Sequence, residues 1–234
     1  MIKKAMVLAA GFGKRLNPLT LSCPKPLLKV GNETLLFNAL NFLELAGIEQ
    51  VVINVHYLAE QIEDYIDNKK FKMKIDIIRE NDQILDTGGG ILNAIEKFSN
   101  EPFLTINPDT IWNPEYLKEV DMMERIFFEN KESQCLILVV NKKRSFDTSI
   151  IGDFELNQKL INRKNKNNLD YIYTGLQIIK PEVFLNIKYK VFSVNKTWDQ
   201  LISKKLLYGM ESNIDFLHVS TLDIYKKLLK KIKY

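Results

Sequence analysis

Apolar positions in this chain fall into short unbroken runs separated by turn residues and by segments of helical period. The first run, Ala5-Met6-Val7-Leu8-Ala9-Ala10, stops at Gly11-Phe12-Gly13-Lys14-Arg15, which predicts a buried strand delivering a glycine loop. Thr34 to Ala46 is helix-like, Gly47 ends it, and Val51-Val52-Ile53-Asn54-Val55 predicts a second buried strand. The alternation continues with an amphipathic segment from Leu58 to Asp67, a strand at Ile75 to Arg79, a helix after Gly90 and a strand at Phe103 to Ile106. A helix from Tyr116 to Phe128 and a strand from Cys135 to Val140 follow. Strands without polar alternation need cover on both faces, so the pattern predicts an α/β fold with a mostly parallel sheet between two helical layers. The stripe Tyr116, Leu117, Val120, Met123, Ile126 and Phe127 has helical spacing and is the core face of its helix.

After about residue 145 the runs shorten. Turn signals stand at Gly152-Asp153 and Lys180-Pro181, and Asn162 to Asn168 is rich in asparagine and lysine, which predicts a solvent loop. Ile150 to Leu156 and Tyr171 to Ile179 are strand-like, a helix is expected near Thr197 to Leu207, and a strand at Asp215 to Val219. The final stretch, Tyr225 to Tyr234, places Leu228, Leu229 and Ile232 on one helical face with lysines around them, which predicts a packed last helix with a solvated basic side rather than a membrane-surface helix. No internal repeat or low-complexity linker interrupts the chain, so a single domain spanning 1–234 is expected.

Composition narrows the class. Of 234 residues, 33 are Lys or Arg and 29 are Asp or Glu, a formal net charge of +4. That excess is too small and too dispersed for a nucleic-acid-binding surface. Two cysteines, Cys23 and Cys135, together with no leader-like start and no apolar run of about 18 residues, predict a cytoplasmic protein outside the membrane.

The glycine loop is the first candidate for chemistry, because closely spaced glycines after a strand expose backbone N–H groups that can surround a phosphate. It is not a P-loop, since Leu8 and Arg15 stand where that motif needs Gly and Ser or Thr, and Leu16 replaces the third glycine of a dinucleotide fingerprint. Arg15, and Lys25 held between Pro24 and Pro26, would suit a polyanion whose charge rises in a transition state.

Leu8-Ala9-Ala10-Gly11-Phe12-Gly13-Lys14-Arg15-Leu16 followed by Pro24-Lys25-Pro26-Leu27 resembles the opening signature of the sugar-1-phosphate nucleotidyltransferases. Asp86-Thr87-Gly88-Gly89-Gly90 resembles that family's second nucleotide segment, and Asn107-Pro108-Asp109 its strand-end segment with a Mg²⁺-binding aspartate. Phe192-Ser193-Val194-Asn195-Lys196-Thr197-Trp198-Asp199, with Asp109-Thr110-Ile111-Trp112, resembles the branch that transfers uridylyl to N-acetylmuramate 1-phosphate in cell-wall sugar recycling. The resemblance implies a three-layer, Rossmann-like fold with a mostly parallel mixed sheet, of the nucleotide-diphospho-sugar transferase type. Residues 1 to about 110 would bind nucleotide and about 111–234 the sugar phosphate, with no room for an appended repeat domain. It implies a nucleoside triphosphate and a sugar 1-phosphate as partners, Mg²⁺ as cofactor with Mn²⁺ as a substitute, and a monomer or small homo-oligomer.

Residue by residue, the resemblance implies that Arg15, Lys25 and Asp109 are catalytic. Ala10, Gly11, Phe12, Gly13, Lys25, Thr87 and Gly88 would contact nucleotide, and Arg79, with Glu80, would flank the base. Three successive glycines at a helix start would allow close approach of a base or sugar. By position, Asn107, Asn141, Thr174, Gly175, Asn195 and Trp198 would contact the sugar phosphate; His56 and Tyr57 receive no role. Two departures stand out. His218, in His218-Val219-Ser220-Thr221, occupies the place of the family's second metal-binding aspartate, and Pro108 that of a glycine. Imidazole suits Mn²⁺ better than the hard Mg²⁺ ion, so His218 would ligate metal, hold a metal-bound water or contact phosphate as a cation. Other sugar-1-phosphate or choline-phosphate acceptors with thymidine or guanosine triphosphate as donor, and a regulatory subunit that binds nucleotide sugar without turnover, are the competing expectations.

Overall fold

In the computed structural model, which describes residues 1–163 and 169–232, a nine-stranded sheet divides the protein into two helical layers. In chain order the elements are β1 (Lys4–Leu8), the ribbon β2 (Lys29–Val30) and β3 (Glu33–Thr34), α1 (Leu35–Leu45), β4 (Gln50–Val55), α2 (Ala59–Asp67), β5 (Lys74–Arg79), α3 (Asp86–Ala94), β6 (Phe103–Ile106), α4 (Tyr116–Glu129) and β7 (Cys135–Asn141). Then come β8 (Glu155–Asn157), β9 (Leu160–Asn162), β10 (Tyr171–Ile179), α5 (Val194–Ser203), β11 (Leu207–Ser212) and α6 (Leu222–Lys231). The sheet order is β5-β4-β1-β6-β10-β7-β11-β9-β8. β5, β4, β1 and β6 are parallel, β10 runs antiparallel to both β6 and β7, and β11 is parallel to β7.

The alternation of side chains along β1 explains the layers. Ala5 and Val7 join a core with α1, α2 and α4, whereas Met6 faces a second core with α3 and α5. On α4, Tyr116, Val120, Met123 and Phe127 are buried, and Leu117 and Ile126 pack at the margin. Each fully buried side chain of this size contributes about 1.5–3 kcal/mol relative to exposure.

Several boundaries differ from the sequence expectation. α3 starts at Asp86, so Gly88 to Gly90 lie inside the helix rather than before it. α5 ends at Ser203, and Leu207 opens β11, a strand masked in the sequence by Gly209 and Glu211. Residues 215–219 form no regular strand; Phe216 and His218 make single bridges to Ser145 and Thr110. Of the expected 150–156 run only Glu155 and Leu156 fall in β8, which continues to Asn157. On α6, Leu228 is buried with Ile224 and Tyr225, but Leu229 is 39% exposed, because the helix packs on Leu16, Leu28 and Val30 one position round from the expected face. Of the asparagine-rich tract, Asn162 ends β9 and 164–168 lie outside the described residues, as do 233–234 of the last stretch.

Glycines in α3 are there for packing. A Cβ on Gly88 would lie 2.3 Å from the Phe192 ring, on Gly89 2.2 Å from the Lys190 carbonyl, and on Gly90 2.6 Å from Asn54 Nδ2. The chain's own 190–192 segment fills the space expected for a ligand. Gly89→Val should therefore lower stability by at least about 2 kcal/mol, read as a fall in urea midpoint. Gly11→Ala, with nothing within 4 Å of its Cβ, should stay within about 0.5 kcal/mol of the parent. Equal effects at the two sites would contradict the packing assignment.

Candidate active site

Three segments meet at the carboxyl ends of β1, β4 and β6, where open parallel sheets bind ligands. The loop after β1 is tied down at its start, where the Ala9 N–H donates to Asn54 Oδ1 at 3.0 Å. It then turns at Gly13, whose φ of +64 favours glycine and whose Cβ would sit 3.0 Å from the Lys25 Cβ. Gly13 O accepts from Leu16 N at 2.8 Å and from Thr20 Oγ1 at 3.0 Å. Ala10, Gly11, Gly13, Lys14 and Arg15 face a cavity of about 410 Å³. Arg15 is exposed there, and no ion pair holds it among the described residues. The Phe12 ring points elsewhere, edge-on to His56 at 5.5 Å and against Tyr57 at 5.4 Å, which leaves its backbone for the loop.

The second segment is the turn Lys25–Leu27, entered through Pro24. It directs Lys25 Nζ onto Asp109 Oδ2, and the two side chains are only 15% and 18% exposed. The third segment is the extended run 216–220. Val219 N donates to Asp109 O at 2.8 Å, and His218 Nε2 comes to 3.4 Å from the oxygen that Lys25 holds. Burial alone would raise the Asp109 pKa, but the charges of Lys25 and His218 and their hydrogen bonds hold it far below the ordinary carboxylate range. Asp109 Oδ1 and His218 Nδ1 are both buried without a partner. An ionised carboxylate with one oxygen unclaimed, beside an imidazole, is a donor set that fits a divalent cation completed by phosphate oxygens. Among the described residues no third His, Cys, Asp or Glu converges on it. Pro108 lines the same cavity without an N–H to offer.

A second cavity, of about 230 Å³, adjoins the first, and Leu8, Asp86, Thr87 and Asn107 line both. Asp86 stands in the left-handed region at φ 62, tolerated because its Oδ1 accepts from Thr87 N at 2.6 Å. Thr87 Oγ1 accepts from Val194 N at 2.9 Å, which joins the start of α3 to the start of α5. Asn107 is held through its backbone, its N–H donating to Gly175 O and its carbonyl accepting from Trp112 Nε1. Asn195 and Trp198 line the second cavity.

Other expected site residues lie elsewhere. Arg79 pairs with Glu63 on the surface, and Gly88 is sealed behind Phe192. Asn141 caps the turn Lys142–Arg144 through Lys143 N. Thr174 is buried, donating to Leu138 O and accepting from Thr110 Oγ1 through its carbonyl. Gly175, at φ +97, shapes the β10 bulge against Asn107. Glu80 is buried, its carboxylate accepting from Asn54 Nδ2 at 2.7 Å and Leu85 N at 2.7 Å. Asn54, Asp153, Tyr173, Gln177 and Ser193 line the cavities without having been expected to. Gln177 had a legible signal as the lone amide in Leu176-Gln177-Ile178-Ile179. Both of its polar atoms are engaged, the oxygen accepting from Trp198 Nε1 at 2.9 Å and Cys135 Sγ at 3.2 Å and the nitrogen donating to Thr105 Oγ1 at 2.9 Å. Asp153 had only a turn signature.

The model of the nucleotidyl transferase family matches residues 4–203, over the glycine loop, the Lys25 turn and Asp109. The chain belongs to that family. It is 32% identical to N-acetylmuramate alpha-1-phosphate uridylyltransferase of Caulobacter vibrioides, across 93% of this chain and 91% of that one. It is 28% identical to the mannose-1-phosphate guanylyltransferase catalytic subunit beta of Drosophila melanogaster, covering 89% of this chain and 57% of the other. The UDP-glucose pyrophosphorylase structure from Acinetobacter baumanii superposes with a TM-score of 0.81 at 17% identity, covering 98% of this chain and 92% of that one, which establishes the shared mixed, mostly parallel fold. This nucleotidyltransferase chain has, among its described residues, no helix long and apolar enough to cross a membrane.

The Lys25–Asp109 pair sets a stability prediction. Lys25→Met leaves the mostly buried Asp109 carboxylate without its nearest cation and should cost about 2 kcal/mol, while Lys25→Met with Asp109→Asn should recover most of that loss. A urea-denaturation double-mutant cycle measures the coupling; simple additivity would show that the pair is not coupled.

Proposed function

We propose that this nucleotidyltransferase moves a uridylyl group from uridine triphosphate to N-acetylmuramate α-1-phosphate, forming a nucleotide sugar and pyrophosphate for cell-wall sugar recycling. The observation that carries the site assignment is the seam: a loop-and-cation cavity meets a smaller polar cavity at Asp86, Thr87 and Asn107, with Lys25 and Asp109 beside it. The uridylyl and muramate choices are supported by the end-to-end 32% identity to the Caulobacter vibrioides enzyme. We assign the nucleotide to the first cavity and the sugar phosphate to the second, within one catalytic unit. The cytoplasm suits two free cysteines.

In this mechanism an oxygen of the acceptor phosphate attacks the α-phosphorus in line. A P–O bond forms there as the bond to the β-phosphate oxygen breaks, and pyrophosphate leaves with that electron pair. The acceptor oxygen is already ionised, so no general base is required, and the protein supplies alignment and positive charge. Backbone N–H groups from Ala10 to Gly13, with Arg15, hold the β and γ phosphates. Lys25 lies between the acceptor and α phosphates, and Asn107, Asn195 and Trp198 bound the sugar. Asp109 with His218 would hold Mg²⁺ or Mn²⁺, which neutralises phosphate charge when bound.

Removing a charge contact made mainly in the transition state costs about 10²–10³-fold in rate, so Lys25→Ala and Asp109→Ala should each lower turnover by at least about 10²-fold. Pyrophosphate release, measured over a grid of the four nucleoside triphosphates against muramate, glucose, mannose and choline phosphates with Mg²⁺ or Mn²⁺, checks both the variants and the substrate pair. Highest turnover with guanosine triphosphate and mannose 1-phosphate, or with a thymidylyl or uridylyl donor and glucose 1-phosphate, would replace the muramate assignment. Nucleotide binding without pyrophosphate release from any pair, restored by His218→Asp, would mark a regulatory subunit.

A further inference from the structure

Behind Asn195, in the wall of the smaller cavity, stands an arginine that a neutral sugar does not need. Arg163 follows β9, and both of its terminal guanidinium nitrogens donate to one atom, Asn195 Oδ1, at 3.0 and 3.1 Å. Asn195 lines the cavity at the first turn of α5, where no acidic residue stands. The guanidinium lies over the Phe154 ring at 4.5 Å, which holds it in place. Its Nε is buried without a hydrogen bond and lies 3.4 Å from Asp199 Oδ1, on a carboxylate that is mostly in solvent. Two parallel donors converging on a single amide oxygen use half of what the fork can do, since guanidinium geometry matches the two oxygens of a carboxylate.

The bond to Asn195 sets this charge one residue behind the cavity wall. Asp153 lines that cavity; burial pushes its carboxyl pKa up, opposed by the hydrogen bond it accepts from Tyr173 N at 3.0 Å and by the positive charges of Arg163 and His218. Asp153 is suited to accept hydrogen bonds from sugar hydroxyls, and its own negative charge would disfavour an acidic ligand unless a cation sits at the same cavity. Arg163, bonded to the cavity residue Asn195, is placed to provide that cation.

We propose that Arg163 is a specificity residue that reads a carboxylate on the acceptor sugar, so that the cavity takes acidic sugar 1-phosphates in preference to neutral ones. The proposal rests on the assignment of this cavity to the acceptor and deepens it by naming the feature that is read.

N-acetylmuramate 1-phosphate and N-acetylglucosamine 1-phosphate differ by one lactyl ether carboxylate, so their kcat/KM ratio reports that recognition directly. A charge-assisted bidentate contact is worth about 10²-fold in this ratio. The full chain should prefer the muramate acceptor by about that factor with uridine triphosphate. Arg163→Gln should remove the preference while keeping N-acetylglucosamine 1-phosphate turnover within about threefold, which also shows that the variant is folded. Arg163→Lys, which keeps the charge but not the fork, should retain about a tenth of the preference. Equal loss on both acceptors would make Arg163 a support for Asn195 and overturn the proposal, leaving nucleotidyl transfer in place. So would a parent enzyme that uses the neutral acceptor as well as the acidic one. Failure of every sugar phosphate to react in the parent enzyme would sink the acceptor assignment and this inference with it.

Discussion

The carboxylate of Asp109 is the constraint around which the candidate active site is arranged. A buried charge is costly unless it is paired and hydrogen-bonded, and three segments distant in sequence converge to meet that demand. β6 delivers Asp109 at its carboxyl end, the proline-bounded turn delivers Lys25, and the extended run before α6 delivers His218 by pairing its backbone with Asp109 and Thr110. The same three segments enclose the glycine loop, because Gly13 must leave room for Lys25. One electrostatic requirement therefore sets the position of both the glycine loop and the Lys25 cation in the first cavity.

The halves of the sheet are joined by a second device that involves no charge pair. α3 and α5 start side by side, coupled by the Thr87 hydroxyl and by the 190–192 segment lying on Gly88 and Gly89. Side chains at those two glycines would displace the segment that leads into α5. At the second cavity, Gln177 ties Trp198, Cys135 and Thr105 into one buried amide network. Such a network fixes one arrangement of the cavity floor, since any shift leaves a buried polar atom unpaired.

Much of this was legible in the sequence. Short apolar runs alternating with helical periods specify a covered parallel sheet, and they do so locally, because a strand buried on both faces has no polar side to show. The motifs around Gly11, Lys25 and Asp109 were legible for a similar reason: glycine and proline constrain backbone wherever they occur. Other features misled. The triple glycine signals close approach but not of what, and here the neighbour is Phe192 and the Lys190 backbone. Asn141 and Thr174 carry polar groups that suit a ligand equally well, yet both are used up by a cap and by backbone carbonyls.

The sequence by itself determined the layered α/β architecture, the family and the glycine loop after the first strand, since each follows from patterns within some ten to thirty consecutive residues. Only the tertiary structure decided which polar side chains are free to meet a ligand. That depends on partners brought together across the chain, as Arg163 is to Asn195 and Lys25 is to Asp109. A side chain's chemistry is written in its residue type, but its availability is set by what packing leaves unsatisfied.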